Sequence, residues 1–144
     1  MSANEQAARR VVERFRHARF EWGQIDCRIF AASFVDARCG TDWLRTLDRE
    51  LPLYHDDFSA VKVVTAAGGW ENIVTQFLGA PVPISEAEFG DVILGHGNPP
   101  LERAAALGIC DEEYFMAPGP RGLVWLPMSN ALACWKCQPE ATSS

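Results

Sequence analysis

From the N-terminus to Leu78 apolar positions recur every three or four residues; from Asp91 onward they fall in short runs punctuated by glycine and proline. The first spacing is that of amphipathic helices and the second that of strands. A first helix is expected from a cap at Asn4 to about Arg19, with Val11, Val12 and Phe15 on its inner face. In the stretch Phe20 to Val35, Cys27, Phe30, Ala31, Phe34 and Val35 make a buried helical stripe. Asp26 suits its N-cap, because a carboxylate accepts the amide hydrogens that a first turn leaves unpaired, and Gly40 suits its stop; a helix over residues 27–39 follows. Trp43, Leu44, Leu47 and Leu51 predict a short helix before Pro52. Ser59 is expected to cap a helix from about Ala60 to Ala67, Gly68-Gly69 to break it, and Trp70 to Leu78 to form the next. Strands are expected at Asp91 to Leu94, Ala104 to Cys110, Glu113 to Ala117 and Leu123 to Pro127, with turns at Gly95 to Pro100 and Pro118 to Gly122. Met128 to Lys136 reads as either a short helix or an extended segment. Helices first and an antiparallel sheet after is an α+β arrangement.

With 144 residues the chain has the length of one domain, expected over residues 1–137, with a loose tail over 138–144. Apolar residues at 48% and charged residues at 22% describe a folded chain with a real core rather than a disordered one. No apolar run approaches the ~18 residues needed to cross a bilayer, and the opening segment has no apolar stretch of signal-peptide type, so neither a membrane span nor Sec-dependent export is expected. The net charge of −6 argues against a nucleic-acid partner, which calls for a basic surface. Arg9, Arg10, Arg14, Arg16 and Arg19 make the N-terminal helix a local exception, suited to an acidic partner surface or to a solvated face with its own ion pairs.

Five unevenly spaced cysteines do not make a disulfide framework, and Cys27, Cys39 and Cys110 sit in apolar stretches that read as core. Cys134-x-x-Cys137 has a metal-like or redox-like spacing, but a zinc site needs a second close pair and a thioredoxin-type pair needs a helix starting at its first cysteine. Neither is present, and no metal or cofactor is expected. Cys27 is the candidate of chemical interest. The helix dipole and Arg28 favour its thiolate, while burial and Asp26 oppose it; the plainer reading is a small buried apolar residue opening a core helix.

Phe20-x-Trp22-Gly23 followed by Asp26-Cys27, Phe30 and Val35 resembles the nucleophile segment of the NlpC-like cysteine peptidases, papain-fold enzymes that cut bacterial cell-wall peptides. Gly90-Asp91-Val92-Ile93-Leu94, Ala106-Leu107-Gly108-Ile109-Cys110 and Ala131-Leu132-Ala133-Cys134-Trp135 resemble, in the same order, a family of small phage and prophage proteins of undefined function related to those peptidases. The resemblance spans about residues 15 to 136. It implies a papain-like fold with Cys27 on N-terminal helices packed on the C-terminal sheet, a place in the virion tail tip, larger tail or hub proteins as partners, and a cell-wall peptide as ligand.

A cysteine nucleophile needs a base and a group to hold that base. Where NlpC-like enzymes carry the histidine on the second strand, this chain has Ala106; the third polar group aligns with about Met116, and a tyrosine before the Trp-Gly pair is Phe20. His17 reads as a surface residue and His55 as half of a local charge pair with Asp56 and Asp57. His96, at the end of the first strand and beside the start of the next, is the one candidate for a displaced base. Two readings follow: a structural or docking module that has lost catalysis, and, as the alternative, a cysteine hydrolase of peptidoglycan stem peptides with Cys27 as nucleophile and His96 as base. For the first reading the expected docking elements are the basic N-terminal helix and the segment around Trp135.

Overall fold

The helical spacing of the first half and the short runs of the second become two layers. The computed structural model describes residues 2–96 and 105–137. Within them lie α1 (Ala3–Arg16), α2 (Cys27–Cys39), α3 (Trp43–Glu50), α4 (Asp57–Ala66) and α5 (Gly69–Leu78), then β1 (Val92–His96), β2 (Ala105–Asp111), β3 (Tyr114–Gly119), β4 (Gly122–Pro127) and β5 (Ala131–Trp135). The α+β class is as expected. The glycine-rich turn through 97–100, residue 104 and the tail 138–144 lie outside the described residues.

Several helix ends differ from expectation, each for a hydrogen-bonding reason. Ser2, not Asn4, caps α1, its hydroxyl accepting the Glu5 amide at 3.1 Å. Asp56, not Ser59, caps α4; Ser59 is its reciprocal partner, receiving the Asp56 amide on its hydroxyl. Asp42 makes no side-chain cap for α3. Asp36, projecting from α2, accepts the Trp43 and Leu44 amides at 2.7 and 3.0 Å instead. For α2 the expected bounds hold. Asp26 Oδ1 accepts the Ile29 amide at 3.0 Å, and Gly40 closes the helix in the left-handed conformation, φ 67°.

α2 is the axis of the packing, with Cys27, Phe30, Ala31, Ala32, Phe34 and Val35 all buried. Phe15 of α1 meets Phe30 edge-on at 5.3 Å, and Trp43 of α3 stacks on Phe77 of α5 at 5.3 Å. Phe15, Phe30 and Trp43, each fully buried, contribute about 1.5–3 kcal/mol of transfer free energy apiece.

The five strands form one antiparallel sheet in the order β4-β3-β2-β1-β5. Directly opposed residues share a face and successive ones alternate. Leu94↔Leu107, His96↔Ala105, Val92↔Trp135 and Ile109↔Met116 therefore put these side chains on one face. It is the helix-covered face, because the Trp135 indole N–H reaches Thr75 of α5 at 3.1 Å. The opposite face carries Ile93, Cys110, Phe115 and Cys134, all buried. The 3-10 turn Met128–Asn130, which joins β4 at one edge to β5 at the other, approaches this face at Gly95. A β-carbon on Gly95 would lie 2.6 Å from the Phe115 ring and 2.9 Å from the Asn130 carbonyl, so this approach needs glycine there.

One sequence expectation is corrected, and one left open is resolved. Pro118 and Gly119 continue β3, leaving Pro120 and Arg121 as the turn before β4. The segment ending at Trp135 resolves as a 3-10 turn and then a strand, because β1 offers it a free edge. Among the described residues no helix is long and apolar enough to cross a membrane.

Candidate functional site

The aromatic link before α2 and the loop after α3 converge on the first turn of α2. Asp26 is 1% exposed and holds that turn from both sides, accepting Ile29 N–H on one oxygen and Gly23 N–H on the other at 2.8 Å. Burial nevertheless keeps its carboxyl above the ordinary 3.8, against the pull of those two amides and of Arg28. Asp26 thus performs the capping role expected of it.

Cys27 is 3% exposed. Its sulfur lies within reach of the Leu107 backbone amide, so the helix N-terminus abuts β2 one residue from Ala106. Burial, then the neighbouring Asp26 charge, push the Cys27 thiol up from 9.0 to about 12; the Leu107 and first-turn amides only partly oppose this. The competition that sequence left open between helix dipole and desolvation is won by desolvation.

Arg28, expected to favour the thiolate, is occupied elsewhere. Its guanidinium is buried and donates to the Asp48 carboxylate at 2.9 Å and to the Leu47 and Pro52 carbonyls at 3.3 and 3.4 Å. It also lies 5.4 Å from the Tyr54 ring centre. It ties down residues 47–52 just ahead of Tyr54, which is 5% exposed. Burial raises the Tyr54 phenol above its ordinary 10.0. Trp22 meets Tyr54 edge-on at 5.8 Å and Phe20 meets Trp22 at 4.8 Å, an aromatic cluster that reaches the first turn of α2 through Arg28. Tyr54 and Asp48 were not singled out from the sequence, and Arg28 was read only as a cation beside the thiol. The one available signal was an arginine inside an otherwise apolar helix stripe, which needs a buried acceptor.

The positions where a base and its orienting group are expected are filled by apolar side chains. Ala106 is 1% exposed and Met116 2%. His96 ends β1 exposed, opposite Ala105. It is on the helix-covered face, but its strand neighbour is two residues from Leu107, about 7 Å along an extended chain. Among the described residues nothing joins His96 to Cys27. His17 is exposed at the end of α1, and His55, also exposed, stands 3.6 Å from the Asp56 carboxylate, the local pair expected.

A cleft of about 320 Å³ opens between α4–α5 and the sheet, lined by Val64, Thr65, Trp70, Glu71, Leu94 and Ala105. It runs along the same end of the sheet as His96, and Cys27 does not line it. No group of three or more metal-binding side chains occurs among the described residues. Cys134 and Cys137 do not act as a pair: Cys134 lies in β5 opposite Ile93, whereas the Cys137 sulfur sits 3.0 Å from that of Cys39.

Of the five tryptophans, Trp43, Trp70 and Trp135 are core, Trp22 is half-buried and Trp125 is 37% exposed. Trp135 is fully buried, so the expectation that it docks a partner is overturned: the edge of β1 draws it into the core. Arg9, Arg10, Arg14, Arg16 and Arg19 do remain exposed, and the Arg16 guanidinium lies 5.9 Å from the Trp125 ring.

Residues 1–137 match the family model described as Domain of unknown function (DUF6950). No curated protein matches the chain.

Proposed function

Because the family match spans residues 1–137, the chain belongs to the DUF6950 family, and from that premise we propose that it is a non-catalytic docking module with an NlpC-like, papain-like fold working at a phage or prophage tail tip. One observation carries the loss of catalysis: the thiol at the nucleophile position is 3% exposed and pushed up to about 12, and among the described residues no histidine is joined to it, His96 being exposed at the end of β1. Attack on a peptide carbonyl needs a thiolate and a proton acceptor in place. The resemblance in order and spacing of the strand motifs supports the tail-tip assignment. The docking surface is the arginine-bearing face of α1 with Trp125 beside it, since aromatic and arginine side chains supply most interface energy. Its partner is a larger tail protein with an acidic patch.

The test has two arms. Purified protein incubated with peptidoglycan stem peptides is expected to leave them intact, and Cys27-dependent cleavage would establish the hydrolase reading with His96 instead. Arg10→Ala with Arg14→Ala and Trp125→Ala is expected to weaken co-purification with the other tail proteins at least tenfold. Undiminished co-purification removes the docking surface.

A further inference from the structure

The thiol contact between the end of α2 and the residue beyond β5 is independent of the Cys27 region. Cys39 ends α2, and Cys137 follows β5; they are 98 positions apart, and their sulfurs are 3.0 Å apart. Each is held by bonds that do not involve the other thiol. The Arg38 guanidinium donates to the Cys137 carbonyl at 2.6 Å, and the Cys137 amide donates to the buried Asp91 carboxylate at 3.2 Å. Arg38 is fixed in turn by Glu5 at 3.1 Å, and the backbone at Gly90 passes so close to its guanidinium that no β-carbon would fit. The two sulfurs are thus positioned by the fold, and an S–S bond of about 2.05 Å needs an approach of only about 1 Å. Their environments differ. Cys39 is half-buried and open to a small reagent, whereas Cys137 is 1% exposed.

We propose that Cys39 and Cys137 form a reversible dithiol–disulfide site whose oxidant is a low-molecular-weight disulfide, with Cys39 as the attacking thiol and Cys137 as the resolving one. The Cys39 thiolate attacks one sulfur of the reagent R–S–S–R; the Cys39–S–S–R bond forms, the reagent's bond breaks, and R–S⁻ leaves. Cys137 then gives up its proton and attacks the Cys39 sulfur, forming the internal disulfide and expelling a second R–S⁻. Two protein thiols are oxidised, one reagent disulfide is reduced, and the two thiol protons end on two R–SH. The division of roles agrees with the electrostatics. The Cys137 hydrogen bond and the adjacent Arg38 charge lower the Cys39 thiol, while that same bond, and burial, raise Cys137. The closed bond would lock the end of β5 onto the end of α2 across 98 positions of the chain. Cys134, three residues away in the metal-like spacing, takes no part.

The experiment treats folded wild-type protein with glutathione disulfide and maps its peptides without reduction. The expected product is one internal link joining Cys39 to Cys137, reversed by dithiothreitol, with a thermal midpoint about 5–15 °C higher in the oxidised form. Cys137→Ser is expected to stall with glutathione on Cys39, Cys39→Ser to take up none at Cys137, and Cys134→Ser to behave as wild type. A persistent glutathione adduct on wild-type Cys39 with Cys137 free, a link between Cys134 and Cys137, or no reaction at either residue would each overturn the proposal. Should a variant fail to fold, the wild-type peptide map decides by itself.

Discussion

Alkylation of Cys27 as a function of pH distinguishes a sealed core thiol from a nucleophile. The Cys27 thiol is pushed from 9.0 up to about 12, so at any pH below 9 its thiolate is about a thousandfold scarcer than that of an ordinary cysteine. At pH 7.5 the ionised fraction is about 3 in 100,000. Access compounds the effect, because at 3% exposure a reagent reaches the sulfur only when the surrounding packing opens. Iodoacetamide labelling between pH 7 and 10, read peptide by peptide, is expected to give a Cys27 rate that climbs about tenfold per pH unit without a plateau, identically in wild type and His96→Ala. Cys39, half-buried with a lowered thiol, serves as the fast internal control. A Cys27 profile that levels off below about pH 8, and whose midpoint moves in His96→Ala, would mean a thiolate–imidazolium pair and refute the reasoning.

Three further outcomes follow from the packing. The native Cys27 retains a proton that the unfolded thiol has lost above pH 9; stability from it is complete below 9 and falls as pH rises toward about 12, so chemical denaturation at pH 10.5 should show Cys27→Ala losing about 2 kcal/mol less than wild type relative to pH 7.5. Trp135→Ala should cost about 3–5 kcal/mol in urea unfolding and Trp125→Ala about 1 kcal/mol or less, since one is fully buried and the other 37% exposed; equal costs would contradict the assignment of Trp135 to the core. Gly90→Ala should cost about 1–3 kcal/mol, because φ is 92° and the new methyl meets the Arg38 guanidinium; an unchanged midpoint would remove that contact.

Local chemistry made much of this protein legible. The stripe of Cys27, Phe30, Ala31, Phe34 and Val35 with Asp26 and Gly40 at its ends determined α2, because periodicity, capping and a left-handed stop all act within one helix. The change to short runs after Asp91 likewise determined that a sheet follows the helices, and Ala106 and Met116 stand where the resemblance expects a base and its support. What sequence could not supply were partnerships between distant residues. Asp36 rather than Asp42 caps α3, Arg28 turns to Asp48 and the Tyr54 ring, and Cys137 meets Cys39 rather than Cys134. The role of Trp135 turned on whether β1 had a free edge, and that of the Cys27 thiol on how much water the folded loops exclude. Periodicity and capping are set by neighbours in the chain, whereas desolvation and thiol pairing are set by neighbours in space, and only the tertiary structure brings those together.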